Sequence, residues 1–146
     1  MNTFPDDHPA LPSPDELAAT FASLAGWEAR LRHLIQLGAR LPALAPAQRL
    51  DRDLVQGCDT PVWLLHRFVA ETGRLRFQAD SDARIVRGLL AAVLVAVDDR
   101  TPAEILAFDL GVWFGRLGLL EHLSASRRDG VRAIVAAVQA VARRYA

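Results

Sequence analysis

The chain holds one cysteine, Cys58, within Leu54-Val55-Gln56-Gly57-Cys58-Asp59-Thr60-Pro61-Val62-Trp63. Gly57 relaxes the backbone ahead of the thiol, and Asp59-Thr60-Pro61 favours a turn after it. An apolar, strand-like run follows. Such a setting can present a sulfur to another molecule, and the plain alternative by composition is an ordinary small hydrophobe in a turn. The functional question is therefore what a single presented thiol can do.

Several chemistries lack the residues they need. One cysteine and four scattered histidines (His8, His33, His66, His122) give no zinc-ligand spacing. An iron–sulfur scaffold usually draws several cysteines from a chain. No GxSxG elbow or HExxH helix is present, and Gly111 to Gly118 lacks a phosphate-loop pattern. All 17 basic residues are arginine. The absence of lysine excludes a Schiff-base mechanism, pyridoxal-phosphate catalysis included, and also a P-loop lysine.

A cysteine–histidine nucleophile fits no better. His66 stands eight residues past Cys58, roughly 20 Å or more away along an extended strand. His122 meets the thiol only if the tertiary fold brings it there. The side chain beside the sulfur is Asp59, a carboxylate that disfavours thiolate, whereas an acidic thiol is usually set near a cation or a helix N-terminus. Cys58 thus reads as a sulfur that reacts once a partner surrounds it, and not as an autonomous catalyst.

The elements that must position it are legible from pattern. At 146 residues and 51% hydrophobic, the chain fits one compact domain with a real core. Met1 to Pro12, with four prolines at 5, 9, 12 and 14 around it, is expected to be a mobile tail without a signal or transit peptide. Ser13-Pro14-Asp15-Glu16 is a capping box opening a first helix through Leu17, Phe21 and Leu24, closed by Gly26. Trp27, Leu31, Leu34, Ile35 and Gly38 carry a second helix to about Arg40. Leu41 to Asp53 is a connector. Val62 to Val69 reads as a strand, Glu71-Thr72-Gly73 as a turn, and Leu75, Phe77 and Ala79 as the inward residues of a second strand. Leu54 to Gly57 is expected to add a third.

Ser81-Asp82 is expected to open a central helix through Ile85, Leu89, Val93 and Val97, apolar nearly all round. Thr101-Pro102-Ala103-Glu104 repeats the capping device before a short helix over Ile105 to Asp109, interrupted at Gly111. Trp113-Phe114 and Leu117 to Leu123 follow as a further helical piece. Ser124 or Ser126 opens the last helix, striped by Val131, Ile134, Val135 and Val138. The expected class is α+β, a small antiparallel sheet of about three strands covered by helices, with residues 13–146 as a single domain. Zero formal net charge gives no electrostatic case for nucleic acid. The longest apolar run, Gly88 to Val97, is about half a membrane span. The plain expectation is a soluble cytoplasmic protein.

The residues around Cys58 resemble the cysteine motif of the SufE family, sulfur acceptors in iron–sulfur cluster assembly. The likeness continues in order through six motifs. Trp27-Glu28 with Ile35-Gln36-Leu37-Gly38-Ala39-Arg40-Leu41-Pro42 resembles the family's second helix, and Asp80-Ser81-Asp82-Ala83-Arg84-Ile85-Val86-Arg87-Gly88-Leu89 its central helix start. Thr101-Pro102, Phe108-Asp109, Trp113-Phe114 and His122-Leu123-Ser124-Ala125-Ser126-Arg127 complete it, over about Ser13 to Val141.

The resemblance implies a SufE/IscU-like fold and a sulfur carrier rather than an autonomous enzyme. Cys58 would accept persulfide sulfur from a pyridoxal-phosphate cysteine desulfurase of SufS or CsdA type, raise that enzyme's turnover, and pass the sulfur to an iron–sulfur scaffold complex. The pyridoxal phosphate belongs to the partner, and this chain has no cofactor or metal of its own. Partner-binding residues implied are Gly57, Asp59, Thr60, Asp82 and Arg127. Asp82 equally suits a helix's first turn, Arg127 a solvated helix start, and Gly57 loop geometry. Trp63 and Trp113 read as core. The family usually has serine at position 60 and often a polar residue at 61, so Thr60-Pro61 implies a stiffer loop. Two alternatives remain: an allosteric desulfurase activator that carries no sulfur, and CsdE-like transfer to another acceptor.

Overall fold

The computed structural model describes residues 11–146. The tail expected over 1–12 lies mostly outside the described residues. Six helices and one hairpin follow in the order α1 (Pro14–Ala22), α2 (Gly26–Ala39), β1 (Val62–Val69), β2 (Arg74–Ser81), α3 (Arg84–Val97), α4 (Pro102–Leu106), α5 (Leu110–Leu117) and α6 (Ala125–Tyr145), with short 3-10 turns at Pro46–Gln48, Asp51–Asp53 and Leu120–His122. The class is α+β, as the pattern predicts.

Both capping boxes form. Ser13 Oγ accepts from the Glu16 N–H at 3.2 Å while Glu16 Oε1 accepts from the Ser13 N–H at 3.1 Å. Thr101 and Glu104 repeat the exchange ahead of α4. Reciprocal caps of this kind satisfy helix-end donors that would otherwise lack partners.

The sheet has two strands and not three. β1 and β2 pair antiparallel from Val62↔Ser81 to Val69↔Arg74. The segment expected as a third strand makes only the bridge Leu54↔Trp63 and a 2.9 Å bond from the Val55 N–H to the Val62 carbonyl. Gly57 then turns at φ +94°, which ends any ladder after one step. Two further boundaries move. β2 runs through Ser81, so α3 starts only at Arg84 with Ala83 as an uncapped N-cap residue. The break between α4 and α5 falls before Asp109, whose carboxylate caps α5 through the Val112 N–H at 3.0 Å, and Gly111 lies inside the helix. The αL residue Gly118 ends α5, so Leu120 onward forms a 3-10 turn instead of more helix.

α3 is the core helix, with Leu89, Leu90, Ala91, Ala92, Val93 and Leu94 all buried. It packs against α2 backbone to backbone. A Cβ added at Gly38 would stand 2.5 Å from the Gly88 nitrogen, and one at Gly88 would meet the Leu34 carbonyl. Trp113 is core, its indole N–H donating to the Ala92 carbonyl at 2.9 Å. Trp63 is only half-buried and stacks under the Arg49 guanidinium, 4.6 Å from the ring centre.

The close helix crossing makes a sharp prediction. Gly88→Ala overpacks it and is expected to lower the unfolding free energy by about 1–3 kcal/mol. Gly115, in α5, has open space around its missing Cβ. Gly115→Ala is expected to be neutral or to stabilise by up to ~1 kcal/mol through helix propensity. Urea unfolding midpoints of the two variants check both signs.

Candidate functional site

Cys58 lies on the loop between the Leu54 bridge and β1, and its thiol is half-buried. It opens onto a cavity of about 510 Å³. The apolar walls come from four elements: Ile35 of α2, Val62 of β1, Ile85 and Leu89 of α3, and Val131 and Ile134 of α6. The polar rim carries Asp59, Thr60, Arg84, Ser124, Ser126 and Arg127. Val62 lines the cavity beside the sulfur, whereas Val55 and Trp113 do not.

The loop lies along one face of α6. The Cys58 thiol donates to the Gly130 carbonyl, with Sγ 3.6 Å from the oxygen. Ser126 Oγ donates to Asp59 Oδ2 in a short hydrogen bond. A Cβ at Gly57 would stand 3.3 Å from the Ala133 Cβ, so the missing side chain is what lets the loop sit this low. Gly57 also needs its positive φ, so glycine is required twice over.

This setting favours the protonated thiol over the thiolate. Burial, and after it the Asp59 carboxylate, push the Cys58 pKa above the ordinary thiol value. Arg84 and Arg127 are the cations at the rim, each exposed. Neither histidine completes a dyad. His66 pairs with the Tyr145 hydroxyl at 3.2 Å, and His122 stacks on Trp27 with ring centres 4.9 Å apart. Neither lines the Cys58 cavity. Among the described residues, no group of three or more histidine, cysteine or acidic side chains is disposed to hold a metal ion.

The other residues expected at the site separate into two places. Gly57, Asp59, Thr60 and Arg127 gather around the thiol. Asp82 does not line the cavity. It is exposed and pairs with Arg49 at 2.8 Å, in a network centred on its buried neighbour Asp80. Sequence reasoning missed Arg84, Ile35, Ser126 as the partner of Asp59, and Gly130. Ser126 carries a signal, since it stands beside a helix start, but in sequence that position suggests only a cap. Ser124 takes that role, accepting from the Arg127 N–H.

A family model described as SufE, an Fe-S metabolism associated domain, matches residues 15–142. The chain belongs to the SufE family. The fold is shared with a hypothetical protein from Thermus thermophilus solved in solution. That structure is 23% identical with a TM-score of 0.73, and the match covers 92% of this chain and 96% of the other. At that identity the likeness speaks for the fold alone. Membership in SufE associates the chain with iron–sulfur metabolism. Among the described residues, no helix is long and apolar enough to cross a membrane.

The electrostatics of this SufE site predict its reactivity. The alkylation rate of Cys58 should rise with pH to a midpoint above the ordinary cysteine value. Asp59→Asn removes the lesser cause of the shift and leaves burial, so the midpoint should fall without reaching that value. Iodoacetamide rates across pH check both; a wild-type midpoint below the ordinary value overturns the account.

Proposed function

We propose that the protein accepts sulfane sulfur as a persulfide on Cys58 from a pyridoxal-phosphate cysteine desulfurase and passes it on for iron–sulfur cluster assembly. The observation that carries this reading is the single thiol of a SufE chain half-sheltered over an apolar cavity with a polar rim. A persulfide is quickly lost to solvent thiols by exchange, and apolar walls slow that loss. The space beneath the sulfur is ample for one more atom.

The step is thiol–disulfide exchange with a persulfide as electrophile. Cys58 gives up its proton, and its sulfur bonds to the terminal sulfur of the partner's persulfide. The partner's S–S bond breaks, and its cysteine leaves as a thiolate that takes up a proton. Sulfane sulfur moves without net oxidation or reduction. The chain has no lysine, so the Schiff-base chemistry that frees sulfur from cysteine belongs to the desulfurase.

The raised pKa of Cys58 supports a carrier over a solitary enzyme. At neutral pH little thiolate forms, so the free protein is slow toward stray electrophiles. A docking partner that carries cations, or that draws the sulfur away from Asp59, increases the thiolate fraction. Arg127, exposed at the cavity rim, and Asp82, exposed outside the cavity, present opposite charges for such a partner. Gly57, Asp59 and Thr60 frame the thiol between them. The protein also raises desulfurase turnover in this reading, because unloading the partner's persulfide frees its cysteine.

Incubation with a cysteine desulfurase and cysteine, followed by intact mass under non-reducing conditions, tests the proposal. Wild type should gain the mass of one sulfur atom and Cys58→Ser none. Cys58→Ser should also lose stimulation of the desulfurase. An unmodified wild type, or full stimulation by the serine variant, would sink the carrier role.

A further inference from the structure

Three consecutive loop residues meet three residues of α6. Gly57 faces Ala133, Cys58 bonds the Gly130 carbonyl, and Asp59 accepts from Ser126. Positions 126, 130 and 133 have the i, i+4, i+7 spacing that falls on one helix face. The loop therefore runs antiparallel along α6, fastened at both sides of the sulfur. On one side the fastening is shape, glycine against alanine. On the other it is a hydrogen bond between side chains that are both exposed.

The inward thiol is poorly placed for exchange. Its hydrogen is committed to the Gly130 carbonyl, and helices α2, α3 and α6 wall the sulfur. Attack on a second protein's persulfide needs Sγ within bonding reach of that sulfur, along the S–S axis. The loop has a point about which to turn outward, since Gly57 sits at φ +94° and tolerates conformations closed to other residues. The polar fastening is the one open to a docking protein, because Asp59 and Ser126 are both exposed at the rim.

We propose that the Asp59–Ser126 hydrogen bond is a latch holding Cys58 inward, so that Asp59 and Ser126 are positioning residues for sulfur transfer. Its role in transfer rests on the reading of Cys58 as acceptor. The latch itself does not, and it shows in the free protein. Asp59 serves here by holding the loop rather than by binding the partner. The charged groups around the sulfur are Asp59 on the loop, Arg84 on α3 and Arg127 on α6; α2 and β1 contribute the apolar Ile35 and Val62.

Alkylation by iodoacetamide in the free protein tests the latch. The rate plateau at high pH, where the thiol is fully ionised, reads access to the sulfur rather than its pKa. Ser126→Ala should raise that plateau about tenfold, the usual scale for losing one hydrogen bond to a charged group at a partly solvated site. Asp59→Ala should raise it by a similar factor, and the double variant no further, because both remove one shared bond. Ser126→Thr keeps the hydroxyl and should restore the wild-type plateau. An unchanged plateau in either alanine variant, multiplied effects in the double variant, or a threonine variant as fast as alanine overturns the latch. Ser126 is exposed in the first turn of α6, with Ser124 as the cap, and thermal melts verify that the variants stay folded. No desulfurase enters the assay, so its failure is distinct from a failure of sulfur loading.

Discussion

The Asp80 carboxylate, essentially buried at the end of β2, is the constraint on which the site's surroundings depend. A charge removed from water must be paired and hydrogen-bonded or the fold does not form. Four groups meet it. Oδ2 accepts from the Leu44 N–H at 2.8 Å and pairs with Arg49 at 3.0 Å; Oδ1 accepts from the Ser81 N–H at 2.8 Å and pairs with Arg87 at 3.2 Å. Arg87 also donates to the Leu41 carbonyl, and Arg49 extends over Trp63 to Asp82. One carboxylate thereby ties the exit of α2, the connector, β1, β2 and the first turn of α3. The Cys58 loop is the continuation of that connector. Its lower anchor is set before the cysteine is reached. The outer pair, Arg49 with exposed Asp82, adds little energy of its own because solvent screens it.

The cavity follows from how the helices are spaced. Gly38 and Gly88 let α2 and α3 touch backbone to backbone, which brings Ile35 and Ile85 to the same side. α6 closes the opposite wall with Val131 and Ile134. α6 serves two purposes: its apolar stripe covers the core, and the adjoining face of Ser126, Gly130 and Ala133 is the bed on which the cysteine loop lies. The site is accordingly apolar at its floor and polar at its rim. Those two properties suppress the thiolate while leaving the sulfur within reach of the surface. A carrier needs that combination, whereas a solitary thiol enzyme needs the reverse.

Much of this is legible in the sequence. Capping boxes at Ser13 and Thr101, the β1–β2 hairpin and the all-round apolar α3 are local signals, and each forms where its pattern lies. The third strand does not form. The four residues Leu54 to Gly57 read as a short strand, yet Gly57 turns the chain after a single bridge. The break expected near Gly111 moves for a similar reason. Glycine suggests the interruption, but the Asp109 cap decides where the new helix begins. In the first case a backbone turn settles what composition leaves open, and in the second a side chain that caps a backbone N–H.

The sequence by itself determined which reactive groups are available. A single thiol with an acidic neighbour, no lysine and no metal-ligand spacing are facts about which atoms exist, and they need no fold to be read. Tertiary structure decided how that sulfur is held. Asp59 and Ser126 are far apart in the chain, as are Cys58 and Gly130, and Arg84 joins them at the rim from the start of α3. Such pairings depend on the packing of α2, α3 and α6 around one buried carboxylate and one glycine crossing. No local pattern encodes a contact whose two halves are brought together by the rest of the fold.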